Sequence, residues 1–253
     1  MTKKLTLAQM HQIADGCPID FAGVLTTFAA TDETGYLGFG GSLNPATLLH
    51  AYRCGVFPWF NEGEPVCWWS PSPRCVMVPE RFVPSKSLVR RAKKQAWTLT
   101  TNVAFDQVIQ ACSAPRAYTA DTWITHKMKH AYQQLHRLGV AVSVEVWQNQ
   151  PQRSALIGGL YGVNIGAVFC GESMFYKTTD ASKVAFWGLM AWCQQQGIQL
   201  VDCQLKNAHL MSLGAQLLPR HEFLGQLALL VSMPSDGLGG QRQQMSSAQL
   251  AQR

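Results

Sequence analysis

The chain has 253 residues, of which 47% are hydrophobic and 14% charged, and carries a formal net charge of +6. That length buries a full core, as one large domain or two modest ones, and the composition excludes a disordered or fibrous protein. No apolar run reaches the length of a signal h-region or a membrane span, so a soluble, unexported, cytoplasmic protein with no membrane partner is expected.

Eight cysteines are scattered at 17, 54, 67, 75, 112, 170, 193 and 203 without a C-x-x-C pair. Free thiols in a reducing compartment fit this better than a disulfide framework, and no spacing suits a zinc finger or ribbon. His126 and His130 fall i, i+4 on a predicted helix but have no third ligand nearby, so no metal site is expected.

The first predicted helix runs from Pro45 to Arg53, with Asn44 as N-cap, Pro45 at the first helical position and Gly55 beyond its end. Aromatic loops follow, Phe57-Pro58-Trp59-Phe60 and Trp68-Trp69-Ser70-Pro71-Ser72-Pro73-Arg74, and their prolines mark a boundary near residue 75. From Arg81 to Lys94 come six basic residues, Arg81, Lys86, Arg90, Arg91, Lys93 and Lys94, with no acid between Glu80 and Asp106. Such a block is usually a solvated face; the alternative is a patch that tracks nucleic-acid phosphates.

Beyond it, Trp97–Thr101 and Ala141–Trp147 alternate like strands, while Ala104–Ala111 and Lys127–Leu138 carry helical periodicity. Leu156–Val163 and Ala167–Cys170 read as a hairpin turning at Asn164-Ile165-Gly166. A long apolar helix, Ala181–Gln196, leads to the buried strand Ile198–Cys203 and to short helices at Ala208–Gly214 and Glu222–Val231. The order strand, helix, helix, three strands, helix, strand is that of an acetyltransferase-like α/β (α+β) domain with a mixed central sheet. The expected organisation is a small N-terminal domain over residues 1–75, a catalytic domain over 76–233 and a disordered tail over 234–253, too rich in Gly, Gln and Ser to repay ordering.

Three elements carry chemistry. Trp59 and Trp123 sit in loops flanked by prolines or hydroxyls, as rigid faces for stacking on an exposed base, though tryptophan is also common core material. In Phe169-Cys170-Gly171-Glu172-Ser173-Met174-Phe175 a strand closes on a glycine and a carboxylate, at the edge where α/β sheets hold substrate; the plainer reading pairs Glu172 with Lys177 or Lys183. Phe169 and Met174 could line an apolar pocket or belong to the core. On strand alternation Asp202 and Gln204 share a face, so Asp202 could orient the Gln204 amide and leave its carbonyl oxygen to accept from an attacking amine. A Cys203 nucleophile lacks a base other than His209, and no Gly-x-Ser-x-Gly elbow is present.

Several segments, in this order, resemble the leucyl/phenylalanyl-tRNA-protein transferase family. They are Gly40-Gly41-Ser42-Leu43-Asn44-Pro45, Ala51-Tyr52 to Phe60, Trp68 to Arg74, Thr122-Trp123-Ile124-Thr125, Ser143 to Trp147, Gly158 to Val163, Phe169 to Phe175, Ala181-Ser182-Lys183, and Asp202-Cys203-Gln204 onward to Ala215. The resemblance covers about residues 35 to 225; Ser42, where the family usually has Asp, and Val140 and Val142 depart from it.

It implies transfer of Leu or Phe, and Met less well, from aminoacyl-tRNA to the N-terminal Arg or Lys of acceptor proteins, marking them for degradation. It also implies no cofactor and, by default, a monomer. On that resemblance Gln204, Asp202 and Glu172 are the catalytic set. Trp59, Trp123, Leu160, Phe169, Ser173, Met174, Leu189, Val201 and Asn207 bind substrate, and Arg90, Arg91, Lys93 and Lys94 follow the tRNA backbone. Two rivals are an acyl-CoA N-acetyltransferase, which lacks a Gly-x-Gly pyrophosphate cradle between Phe169 and Ala181, and a non-catalytic RNA-binding module, which leaves Glu172 and Gln204 without a role.

Overall fold

The computed structural model describes residues 4–28, 34–114, 123–149 and 154–252. Thr122 of the Thr122-Trp123 motif lies outside the described residues. The N-terminal region holds helices α1 (Leu7–Asp15) and α2 (Phe21–Phe28), strand β1 (Tyr36–Phe39), helix α3 (Pro45–Arg53), and strands β2 (Phe57–Pro58) and β3 (Cys67–Trp69). Helix α3 has the predicted bounds: the Asn44 side chain accepts from the Thr47 backbone N–H, and Pro45 occupies the first turn, where an N–H has no partner to lose. Strands β1, β3 and β2 form a small antiparallel sheet, in that order.

The chain then enters a large sheet through β4 (Arg74–Met77) and continues through helix α4 (Lys86–Gln95), β5 (Thr98–Thr101), α5 (Phe105–Cys112), α6 (His126–Arg137), β6 (Ala141–Gln148), β7 (Ala155–Ile165) and β8 (Val168–Tyr176). Helix α7 (Ala181–Gln195), β9 (Leu200–Gln204), α8 (Ala208–Ser212), β10 (Gln216–Leu218), α9 (Arg220–Leu230), β11 (Gln244–Ser246) and α10 (Ser247–Leu250) complete it. From β5 to β9 the predicted strand and helix order is observed, and the fold is a mixed α/β structure. Among the described residues the large sheet has eight strands in the order β10-β4-β9-β8-β7-β6-β5-β11, and β8 and β9 form its parallel pair.

One face of the sheet is covered by α7, where twelve of fifteen residues are buried, together with α4 and α10. The other packs against α5, α6, α9 and the N-terminal helices in a core that joins Leu48 and Tyr52 to Tyr132, Tyr161 and Phe223. The segment before residue 75 therefore shares its core with the segment after it. No helix among the described residues is long and apolar enough to cross a membrane.

The expected disordered tail is corrected by the structure. Leu238 and Leu250 are fully buried, and β11 pairs with β5 through Gln244, Met245 and Ser246. The Asn102 side-chain amide donates to the carbonyls of Leu238 and Gln241, and the Ser247 hydroxyl donates to the Ala92 carbonyl of α4. Few apolar groups suffice because the receiving side supplies both the pockets and the hydrogen bonds.

Candidate active site

The site begins with two irregularities in neighbouring strands. Along β7–β8 the register runs Tyr161↔Ser173 and then Gly162↔Gly171, which leaves Glu172 as an extra, unpaired residue in a β-bulge. Along β4–β9 it runs Cys75↔Gln204 and Val76↔Asp202, which leaves Cys203 unpaired in the same way. Bulges bend a strand and re-aim its side chains. The parallel pairing of β8 with β9 stops at Cys170↔Asp202, so beyond that point the strands part, and Glu172 and Gln204 meet across the opening. Gly162 is required beside the bulge, because a Cβ there would lie 2.2 Å from the Cys170 carbonyl oxygen.

Glu172 is held by three donors. Tyr52 Oη donates to Oε1 at 2.7 Å, Tyr132 Oη donates to Oε2 at 2.8 Å, and Gln204 Nε2 donates to Oε1 at 2.8 Å. The two tyrosine hydroxyls also contact each other directly. Burial pushes the carboxyl up to about 7 against the opposing pull of the Tyr52 and Tyr132 hydroxyls, while the negative charge of Asp202 adds to the rise and the Gln204 amide opposes it. Burial, and then the Glu172 charge, holds Tyr52 and Tyr132 well above the ordinary phenol value, so both remain hydrogen-bond donors.

The expected link from Asp202 to the Gln204 amide is corrected. Asp202 forms a buried bidentate ion pair with Arg74, Nε to Oδ1 at 2.8 Å and Nη2 to Oδ2 at 2.7 Å, and its Oδ1 accepts from the backbone N–H of Gln204 at 2.9 Å. Gln204 has φ of +61°, so strand alternation ends before it, and Asp202 reaches its backbone instead of its side chain. The Arg74 guanidinium lies over the rings of Phe57 and Phe223, 4.8 and 4.7 Å from their centroids. Glu172 itself orients the Gln204 amide by accepting from its Nε2. Glu172 has no bond to Lys177 or Lys183; Lys183 pairs with Asp180 at 3.2 Å.

Glu172 and Gln204 open into a cavity of about 1290 Å³. Its lining brings together Trp59, Trp123, Leu160, Phe169, Ser173, Met174, Leu189, Val201 and Asn207. Trp59 is 42% exposed at the rim and 5.6 Å from Trp69, whose Nε1 donates to the Trp59 carbonyl. Among the described lining residues Glu172 is the single carboxylate. Cys203 also lines the cavity, but hydrogen bonding with Cys75, and then burial, pushes its thiol well up, which leaves it protonated and a poor nucleophile.

All of the basic block but Arg81 lies on α4, capped by Ser85, with Arg90, Lys93 and Lys94 exposed. Arg91 is not free for a phosphate in the same way: its Nε is 2.8 Å from Asp180 Oδ2.

Two family models match the chain, one described as leucyl/phenylalanyl-tRNA protein transferase over residues 76–228 and one as that family's N-terminal domain over residues 41–72. The chain belongs to the leucyl/phenylalanyl-tRNA protein transferase family. Relatives bearing that name include one from Psychrobacter arcticus, 54% identical over 209 residues that span 81% of this chain and 77% of that protein. One from Shewanella sediminis is 51% identical over 79% of this chain and 83% of its own length, and one from Shewanella denitrificans is 48% identical over 86% and 91%.

Within this transferase fold, Tyr52 and Arg74 fall in family-like segments without an expected role, and Tyr132 has none either. Tyr132 follows Met128 at i+4 on the buried face of α6, and Tyr52 follows Leu48 on α3. Helical spacing marks both as core, which they are, and says nothing of where their hydroxyls point.

Proposed function

We propose that the chain moves Leu or Phe, and Met less well, from aminoacyl-tRNA to the α-amine of proteins beginning with Arg or Lys, in the cytoplasm, marking them for degradation. The observation that carries this reading is the Glu172–Gln204 pair, set at the parting of two parallel strands and opening into an apolar cavity with tryptophan at its rim.

The reaction is aminolysis of an activated ester, which needs no redox or metal chemistry. Alignment of amine and ester carbonyl is the main demand, and holding two reactants in place can supply on the order of 7 kcal/mol or more. Trp59 and Trp123 stack on the terminal adenosine. Leu160, Phe169, Met174, Leu189 and Val201 receive the apolar side chain, while Ser173 and Asn207 supply polar contacts. Such a pocket separates similar side chains by about 1–3 kcal/mol, consistent with weaker use of Met. Gln204 Oε1 accepts from the attacking amine, and Glu172 attracts the acceptor's positive charge. Asp202 acts through the backbone of Gln204, and the exposed cations of α4 follow the tRNA phosphates.

Incubation with labelled Leu-tRNA and an Arg-starting peptide tests this directly. Label on the peptide is expected, with Glu172→Ala and Gln204→Ala both slowed by orders of magnitude. Leu-tRNA binding without label transfer would favour a non-catalytic RNA-binding module instead.

A further inference from the structure

Three oxygens or oxygen groups meet behind the point where Glu172 lines the cavity: Tyr52 Oη from α3, Tyr132 Oη from α6 and the Glu172 carboxylate from the β8 bulge. They form a closed ring with three contacts, Tyr52 to Glu172, Tyr132 to Glu172 and Tyr52 to Tyr132. When Glu172 is ionised the ring has two hydroxyl hydrogens for three contacts. Both are used on the carboxylate, and the two phenolic oxygens face each other without a hydrogen between them.

A third proton removes this mismatch. With it on Glu172 Oε2, that oxygen donates to Tyr132 Oη, Tyr132 donates to Tyr52 Oη, and Tyr52 donates to Oε1. Oε1 continues to accept from Gln204 Nε2. Each contact then holds one hydrogen, and the tyrosines, 2% and 0% exposed, have no need of water.

We propose that Tyr52, Tyr132 and Glu172 work as one proton-holding cluster, in which Glu172 takes the proton lost by the attacking amine and returns it to the departing ribose oxygen. The inference rests on the transferase reading above. The bond formed joins the amine nitrogen to the ester carbonyl carbon, and the bond broken joins that carbon to the ribose oxygen. One proton passes from nitrogen to Glu172 Oε2 and on to the ribose oxygen, so no co-reactant is needed. Glu172 is the catalytic residue; Tyr52 and Tyr132 are positioning residues that redirect their hydroxyl hydrogens as the proton arrives and leaves.

The charge environment suits the task. The titratable groups facing Glu172 are Tyr52 on α3, Tyr132 on α6, Tyr161 on β7, Cys170 on β8 and Asp202 on β9, the last neutralised by Arg74 of β4. Among them Glu172 is the group brought to about 7, close to the roughly 8 of a free α-amine, so a proton crosses between them in either direction without a large barrier of affinity.

Single-turnover transfer from Leu-tRNA to an Arg-starting peptide, followed from pH 5.5 to 9, tests the cluster alongside Leu-tRNA affinity. Glu172→Gln keeps the shape, accepting from Tyr52 at its amide oxygen and donating to Tyr132 from its amide nitrogen, but cannot take a proton. Its rate should fall on the order of 100-fold or more, with affinity within about twofold, and its pH profile should lose the step near pH 7 and keep only that of the peptide amine. Tyr132→Phe should slow transfer about tenfold and move the step upward, because ionised Oε2 loses its donor.

A Glu172→Gln rate within about threefold of wild type, or a Tyr132→Phe profile with an unmoved midpoint, would overturn the proposal while leaving the transferase reading standing. Failure of the wild-type protein to transfer at all would remove both. The protonated carboxyl stretch, measured by difference infrared spectroscopy on the wild-type protein and assigned through its absence in Glu172→Gln, should titrate near pH 7. Titration near 4.5 would sink the cluster whatever the activity.

Discussion

Replacing Arg74 by Met perturbs the part of the site that touches no substrate. Arg74 and Asp202 are each 1% exposed and share two charge-assisted hydrogen bonds, and the guanidinium is sandwiched between Phe57 and Phe223. Met fills similar volume, so the loss is mainly that of the ion pair. Removing one partner leaves a buried carboxylate without a cation, which costs about 3–5 kcal/mol, a large part of the roughly 5–15 kcal/mol that holds a domain folded. The ring contacts overlap with this figure and are not added to it.

Urea unfolding at pH 7 reads the stability, and Leu transfer reads the site. Arg74→Met should lose 3 kcal/mol or more by the same reasoning. Transfer should fall as well, because Asp202 Oδ1 also holds the Gln204 N–H that keeps that residue in its left-handed conformation. Adding Asp202→Leu to Arg74→Met should recover part of the stability, since the stranded charge is gone, but none of the activity. A loss below about 1 kcal/mol for Arg74→Met would refute the buried-pair reasoning.

Wild-type stability relative to Glu172→Gln should fall as pH rises from 4.5 to 7. The native carboxyl, raised to about 7, keeps a proton that the unfolded chain has already released, so ionisation opposes folding in that window by up to about 3 kcal/mol; paired denaturation curves at pH 5 and 8 check the sign. Deleting residues 237–252 should lower stability by about 5 kcal/mol, from the lost burial of Leu238, Met245 and Leu250, and a thermal melt unchanged by the deletion would contradict this. Neutralising Arg90, Lys93 and Lys94 together should flatten the dependence of tRNA affinity on salt by up to roughly one unit of log–log slope per lost phosphate contact, whereas an unchanged slope would return α4 to a plain solvated face.

Much of the core fold could be read from local signals. Asn44, Pro45 and Gly55 bracket α3 because capping and φ preference act within a few residues, and the strand and helix order from β5 to β9 follows from periodicity alone. The tail could not be read this way. Leu238, Met245 and Leu250 are isolated apolar residues in a polar stretch, and the groups that receive them, such as Asn102, lie more than a hundred residues away. In the candidate site, Glu172 and Gln204 stood out as polar residues at expected strand ends, although β8 continues past Glu172 to Tyr176 and holds it in a bulge. Asp202 departs from strand alternation because Gln204 leaves the extended conformation and offers it a backbone N–H in place of its side chain. Tyr52 and Tyr132 were hidden by their own burial.

The two outermost strands of the large sheet, β10 and β11, are each three residues long and come late in the chain. Short edges offer little backbone for another molecule to pair with, and here they shield the longer β4 and β5. This protection has a temporal consequence during synthesis. The outer edge of β5 stays unpaired until Gln243 and β11 arrive, a separation of 142 residues between Thr101 and Gln243, or on the order of 10 s at ribosomal rates. Over that interval a nascent chain carries an open strand edge, so the segment that closes the sheet also ends the chain's period of greatest risk of pairing with its neighbours.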